Sequence, residues 1–226
     1  MVQTLLLLPV VALALAVVDA AAAAERPVRI VALGDSLTAG PGLSADATFT
    51  AKLEKALRAK GLAVEIRNAG VSGDTAAGGL ARLDWSVPDG TDGVIVELGG
   101  NDMLRGTDPN VIRRWLEEIV LRLTERRISV LIAGMRAAPN LGPDYVSAFE
   151  AIYSDLAAKY KTLLYPFFLD GVAADPKLNL DGLHPNPAGV DVIVARILPM
   201  AEELVARGAC HAHITTSTSQ QVCESP

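Results

Sequence analysis

Five short apolar segments alternate along the chain with longer segments in which apolar residues recur at helical spacing. The short segments are rich in β-branched residues and are bounded by turn residues, which predicts strands. They span residues 28–33, 64–67, 93–98, 128–133 and 162–165. Strands that alternate with helices and are apolar almost throughout predict a mainly parallel sheet covered on both faces, a three-layer α/β/α sandwich.

Three of the helical segments have clear boundaries or apolar stripes. One has Asp108 as its N-cap and Pro109 in the first turn. A second carries Tyr145, Phe149, Ile152, Leu156 and Tyr160 on one stripe. The last opens with Asn186 and Pro187 and carries Val190, Ile193, Ile197 and Leu204, and Pro199 is expected to bend or interrupt it.

The beginning of the chain reads as an export signal. Residues 5–18 form an uncharged apolar run, followed by Asp19 and five alanines at 20–24. The run is too short for a transmembrane helix and ends in small residues suited to cleavage. We expect residues 1–24 to be a signal peptide and the mature protein to be periplasmic or secreted, without stable membrane insertion. Residues 1–4 contain no Lys or Arg, which leaves an uncleaved anchor as the alternative.

A single α/β domain is expected over residues 25–208, because no linker or repeat divides this part of the chain. Residues 209–226 lack apolar periodicity and are predicted to be a disordered tail. The tail contains both cysteines, Cys210 and Cys223, which in an exported protein can form a disulfide, remain unpaired or, less favourably, join a histidine at a metal.

The charge balance gives no reason to expect a nucleic-acid partner. Lys and Arg number 20 against 26 Asp and Glu, a formal net charge of −6. An acidic protein lacks the positive field that attracts phosphates.

Four short blocks carry the polar residues that could perform chemistry. The first three follow directly on predicted strands, and the carboxyl ends of parallel strands share one edge, where such sheets bind ligands. The blocks are Gly34-Asp35-Ser36-Leu37, Gly70-Val71-Ser72-Gly73-Asp74, Gly99-Gly100-Asn101-Asp102 and Asp181-Gly182-Leu183-His184-Pro185. We therefore expect the blocks to form one site.

Ser36 is the candidate nucleophile, because it stands where the first strand ends. A serine hydroxyl needs a base within hydrogen-bond reach. Two of the three histidines lie in the tail, so a histidine base in the body must be His184. Asp181 lies three residues before His184, so its carboxylate can accept a hydrogen bond from Nδ1 of His184. This would leave Nε2 of His184 free to accept a hydrogen bond from Ser36. The alternative is a turn in which Asp181 and His184 have no catalytic role.

The order of the blocks resembles the SGNH (GDSL) hydrolase superfamily, and three longer strings resemble its thioesterase I, lysophospholipase L1 and arylesterase branch. These strings are Val-Ser-Gly-Asp-Thr at 71–75, Glu-Leu-Gly-Gly-Asn-Asp at 97–102 and Tyr-Pro-Phe-Phe at 165–168. The resemblance covers roughly residues 28–206.

The resemblance implies a flavodoxin-like SGNH hydrolase fold and a serine hydrolase that cleaves carboxylic esters and acyl thioesters through an acyl-serine intermediate. It also implies three donors to the oxyanion: the backbone N–H groups of Ser36 and Gly73 and the side-chain amide of Asn101. Small-molecule esters or thioesters are the expected partners, and this chemistry needs neither metal nor organic cofactor.

Two other functions stay open at this point. A carbohydrate O-acetylesterase is one, although aromatic residues, at 4% of the chain, give little surface for sugar stacking. A non-catalytic α/β domain that binds a small ligand is the other. Asp35, Asp74 and Asp102 either cap turns or support their neighbours in the site, and the pattern assigns no role to Glu97.

Overall fold

Five parallel strands form the central sheet of the computed structural model, which describes residues 26–216. They are β1 (Val28–Gly34), β2 (Val64–Gly70), β3 (Gly93–Glu97), β4 (Ser129–Ala133) and β5 (Leu163–Tyr165). Their spatial order is β2-β1-β3-β4-β5, with every neighbouring pair parallel. This is the flavodoxin-like order, so the predicted fold class is confirmed.

Helices cover both faces of this sheet. They are α1 (Ser36–Ala39), α2 (Phe49–Ala59), α3 (Ala76–Ala81), α4 (Leu83–Ser86), α5 (Gly100–Leu104), α6 (Pro109–Glu125), α7 (Pro143–Tyr160) and α8 (Pro187–Thr216). Short 3₁₀ helices span Ala45–Ala47 and Pro139–Leu141. Helices α2 and α8 pack together on one face, and α3, α6 and α7 pack in series on the other.

The core lies between these layers and follows the predicted pattern. Every residue of β3 and β4 is buried, as expected for strands covered on both faces. On α6 the buried stripe includes Ile112, Leu116 and Ile119. The side chain of Asp108 caps α6 by accepting a hydrogen bond from the backbone N–H of Asn110, as the sequence predicts.

The register of the sheet aligns the ends of its three neighbouring strands. Gly34 of β1 pairs with Gly70 of β2 on one side and with Glu97 of β3 on the other. The turns that follow these strands therefore begin at one level. This alignment brings the first three sequence blocks to the same edge.

The last helix differs from its prediction in two ways. It is continuous through Pro199, so the predicted interruption does not occur. It also continues past Gly208 to Thr216, so a tail that begins at residue 209 is wrong. Ile197, Ala201 and Leu204 are buried on both sides of the proline, and this packing offsets the lost hydrogen bond.

Beyond Gly208, alanine favours helix even where no apolar stripe marks it. Cys210 and His211 lie on this part of α8, and the Nδ1 atom of His211 lies 3.3 Å from the hydroxyl oxygen of Ser129 at the start of β4. The predicted signal peptide and residues 217–226 lie outside the described residues. Within residues 26–216 no helix has the length and apolar character needed to cross a membrane.

Candidate active site

Ser36 is held at the carboxyl end of β1 by the turn into α1. The side chain of Asp35 caps this helix by accepting a hydrogen bond from the N–H of Leu37 at 2.9 Å. A side chain at Gly34 is excluded, because a Cβ there would lie 2.1 Å from the hydroxyl oxygen of Thr38. Glycine at this position therefore leaves room for the Thr38 hydroxyl and the Glu97 carboxyl group beneath the turn that carries Ser36.

The structure brings Ser36, His184 and Asp181 together in one hydrogen-bonded series. Nε2 of His184 lies 2.9 Å from Oγ of Ser36, and Nδ1 of His184 lies 2.7 Å from Oδ2 of Asp181. A carboxylate only accepts hydrogen bonds, so the imidazole donates through Nδ1 and leaves Nε2 to accept from the serine hydroxyl. This is the arrangement of a nucleophile, its base and the acid that orients the base.

The loop before α8 fixes the orientation of the Asp181 and His184 side chains. Oδ1 of Asp181 accepts hydrogen bonds from the N–H groups of Leu183 and His184, at 3.0 and 2.9 Å. The backbone of Leu180 donates to the carbonyl of His184 and closes the loop. The hydrogen bond from the His184 side chain, aided by the two backbone donors, holds the pKa of Asp181 well below its usual range. Asp181 therefore stays ionised and can stabilise an imidazolium.

The backbone N–H groups of Ser36 and Gly73, on the turns that follow β1 and β2, have no hydrogen-bond acceptor among the described residues. Gly73 has φ +80°, a conformation that favours glycine. Its carbonyl, which belongs to the next peptide unit, accepts a hydrogen bond from the guanidinium of Arg105 at 2.9 Å and anchors the turn on that side.

Asn101 lies at the same edge, and its side-chain amide already donates two hydrogen bonds. Nδ2 donates to Oδ2 of Asp35 at 2.8 Å and to the backbone carbonyl of Asp74 at 2.9 Å. An amide nitrogen carries two hydrogens. Any bond from Asn101 to an oxyanion must therefore share or replace one of these two.

The three aspartates that adjoin the site residues have different partners. Asp35 is buried, and burial raises its pKa to about 6. Asp74 forms an ion pair with Arg82 at 2.7 Å. Asp102 accepts a hydrogen bond from the N–H of Ala76 at the start of α3, and burial raises its pKa. All three thus hold turns, and Asp35 also contacts Asn101.

Sequence reasoning did not identify Arg82 and Glu97 as supports of the site. The guanidinium of Arg82 donates to the carbonyls of Gly34 and Ala69 as well as to Asp74, so it ties the turns after β1 and β2 together. Glu97 is buried below these turns. Its signal in the sequence is an acidic residue at the end of an otherwise apolar strand.

Several apolar side chains are exposed on the segments that carry the candidate site residues. We call Val71, Leu104, Leu180 and Leu183 the apolar rim, and each is at least 44% exposed. Val71 precedes Gly73, Leu104 follows Asn101, and the other two flank Asp181. Exposed apolar residues gathered around a site favour a ligand with an apolar part.

The chain is similar along most of its length to known hydrolases. A family model described as the GDSL-like Lipase/Acylhydrolase family matches residues 32–192. Esterase TesA of Pseudomonas aeruginosa is 36% identical over 195 residues, which cover 85% of this chain and 96% of that protein. Thioesterase 1/protease 1/lysophospholipase L1 of Escherichia coli strain K12 is 39% identical over 168 residues, or 74% of this chain and 78% of that protein.

The chain is also similar to a solved structure of a hydrolase. The crystal structure of AlinE4, an SGNH-hydrolase family esterase, is 46% identical, with a TM-score of 0.67. The similarity covers 79% of this chain and 96% of AlinE4. The matched family region, residues 32–192, contains all four sequence blocks.

Proposed function

Because the chain belongs to the GDSL-like lipase/acylhydrolase family and is an ester hydrolase of the SGNH type, we propose that Ser36, His184 and Asp181 are its catalytic triad. The observation that carries this proposal is the series of contacts at 2.7 and 2.9 Å that runs from Asp181 through His184 to the Ser36 hydroxyl. A serine so placed has the base that its reactivity requires.

The geometry supports a two-step reaction. Ser36 Oγ attacks the ester carbonyl while His184 Nε2 takes the hydroxyl proton, and the imidazolium then returns this proton to the departing alcohol or thiol. The product of this step is an acyl group on Ser36. Water, deprotonated by the same His184, attacks that acyl group, and the proton goes back to Ser36 as the acid leaves.

The N–H groups of Ser36 and Gly73 and the amide of Asn101 stabilise the negative oxygen of each tetrahedral intermediate. Of the two hydrogens of Asn101, the one on the neutral carbonyl of Asp74 is held less strongly than the one on the Asp35 carboxylate. The hydrogen on the Asp74 carbonyl is therefore the one that Asn101 donates to the oxyanion. The hydrogen bond to Asp35 stays in place and keeps the amide oriented.

The apolar rim supports acyl esters and acyl thioesters as substrates. Leu180 and Leu183 are exposed on the loop that carries His184, and Val71 is exposed two residues before Gly73, so these side chains are the candidates to contact an acyl chain. Leu183→Asn should therefore raise KM for long acyl esters more than for acetate esters of the same alcohol. An equal effect on both esters would remove Leu183 from the acyl site.

We also propose that the protein is exported from the cytoplasm. Residues 1–24 act as a signal peptide, and the mature hydrolase works in the periplasm or outside the cell. The apolar run at residues 5–18 supports this. The intact mass of the protein recovered from the periplasm tests it, since cleavage predicts a new N-terminus near residue 25 and an uncleaved anchor predicts the full chain.

A fluorophosphonate probe tests the nucleophile directly. The probe should label the wild-type protein at Ser36 and leave Ser36→Ala unlabelled, and turnover of p-nitrophenyl esters should be lost with it. Asp181→Asn, which keeps the size of the side chain, serves as the second variant and should slow labelling. Labelling at another serine, or ligand binding without labelling, would overturn the assignment and favour a non-catalytic domain.

A further inference from the structure

Glu97 is the last residue of β3, and its carboxyl group lies beneath the catalytic turns with 0% of the residue exposed. Its Oε2 accepts hydrogen bonds from the hydroxyl of Thr38 at 2.8 Å and from the backbone N–H of Asp35 at 3.3 Å. Its Oε1 is buried and has no donor to accept from among the described residues. An ionised carboxylate with one oxygen that lacks a donor is costly away from water, which favours the neutral acid at Glu97.

Asp35 supplies the acceptor for the proton of this acid. The two residues are adjacent in the fold, with the N–H of Asp35 on Oε2 of Glu97 at 3.3 Å, and their carboxyl groups interact. Two carboxylates so close in a buried setting cannot both be ionised, so the pair holds one proton. Burial raises the pKa of Glu97 well above its usual range, with the charge of Asp35 adding to this, whereas Asp35 has further donors in the N–H of Leu37 and the amide of Asn101.

The pair of Glu97 and Asp35 is connected to the proposed oxyanion site by a hydrogen bond to Asn101. Oδ2 of Asp35 accepts the hydrogen bond from Asn101 Nδ2 at 2.8 Å, so the orientation of the Asp35 carboxylate determines where the amide points. Asp35 is itself oriented by its contacts with Leu37 and Glu97. Removal of the Glu97 contact leaves the carboxylate freer to rotate about its side-chain torsions.

We propose that Glu97 is a positioning residue of this hydrolase, whose neutral carboxylic acid donates a hydrogen bond to Asp35 and so fixes the Asn101 amide at the oxyanion site. Glu97 does not touch the substrate. The inference rests on the proposed function, because it assigns Glu97 a role through Asn101.

Two variants separate a neutral donor from a charged group. In Glu97→Gln the side-chain amide keeps an N–H for Asp35 and an oxygen for Thr38, so kcat should stay within about threefold of wild type. In Glu97→Leu both functions are lost. Its kcat should fall by about 10 to 100-fold with KM nearly unchanged, less than the full loss of an oxyanion donor, which costs about 10²–10³.

Val94→Ala is the matched control, because Val94 is buried on the same strand three residues away and has no polar role. It should lower the thermal midpoint and leave kcat per folded molecule unchanged. Infrared spectra of the wild type at about pH 8, far above the ordinary carboxyl pKa of about 4, should show the C=O band of a protonated acid, absent in Glu97→Gln.

Equal losses of kcat in Glu97→Gln and Glu97→Leu would show that Glu97 acts as a charge, and an unchanged kcat in Glu97→Leu would show a structural role only. Either result overturns the inference. If Glu97→Leu does not fold, the kcat of Glu97→Gln and the infrared band of the wild type decide between these alternatives. The proposed function is tested separately by the labelling of Ser36, so the two can fail independently.

Discussion

The Nε2 atom of His184 lies 2.9 Å from the Oγ atom of Ser36, although 148 positions separate the two residues along the chain. Ser36 is placed by the end of β1, and His184 by the loop between β5 and α8. These two segments meet because the sheet places β1 near its centre and α8 packs back across β1, β3, β4 and β5.

Replacement of the nucleophile should abolish turnover without unfolding the protein. Ser36→Ala removes the acyl-serine route, and losses of about 10⁶ in kcat are known for such residues. The thermal midpoint should remain close to that of wild type, because the Ser36 side chain contributes only its bond to His184. More than about a tenth of wild-type kcat in a well-folded variant would contradict the assignment.

Asn101→Ala should lower both turnover and stability. Loss of an oxyanion donor predicts a decrease of kcat by about 10²–10³ with little change in KM. The same change leaves the buried Asp35 without one of its donors, which should lower the free energy of unfolding by about 1–3 kcal/mol. Kinetics and a denaturant titration on one preparation check both, and reduced stability with unchanged kcat would remove Asn101 from the site.

The buried acid at Glu97 predicts how stability depends on pH. Its pKa in the folded protein is raised above the ordinary value of 4.5. Above that pH the unfolded chain releases the proton while the folded chain keeps it, so the free energy of unfolding falls as pH rises until the folded pKa is passed.

Glu97→Gln has no such proton. Its free energy of unfolding should therefore gain about 1.4 kcal/mol per pH unit relative to wild type above about pH 5. Urea titrations of both proteins at several pH values measure this difference, and parallel curves would mean that Glu97 is ionised in the folded state.

Arg82 lies between the short helices α3 and α4 and should contribute strongly to the stability of the protein. Its side chain is 14% exposed and donates to the Gly34 and Ala69 carbonyls and to Asp74. Arg82→Met leaves Asp74 without its cation and should lower the free energy of unfolding by about 3 kcal/mol. Arg82→Lys keeps the positive charge but lacks the forked set of N–H donors of a guanidinium. Its free energy of unfolding should therefore lie between those of wild type and Arg82→Met. Identical stability for wild type and Arg82→Met would contradict this role.

Truncation after Gly208 should spare activity and cost some stability. The lost segment includes the last turns of α8 and the contact of His211 with Ser129. Ser129 starts β4, at the end of the sheet opposite the catalytic turns. We expect an unchanged kcat and a lower thermal midpoint, and a several-fold loss of kcat would show that this end of α8 reaches the site.

The sequence by itself determined the local elements and the chemistry of the site. Apolar runs marked all five strands to within a few residues, and Asp108 marked the start of α6, because these features depend on neighbouring residues alone. His184 was the one candidate for a histidine base in the body of the chain, and the order of the blocks pointed to the family that the comparisons then showed.

Only the tertiary structure decided which groups meet. The partnership of Glu97 with Asp35, the two bonds already made by the Asn101 amide and the ties formed by Arg82 join residues that lie far apart in the sequence. The continuation of α8 through Pro199 likewise depends on burial against the sheet. Local propensity cannot supply such information, because the energies that fix these contacts arise from burial and register between distant strands.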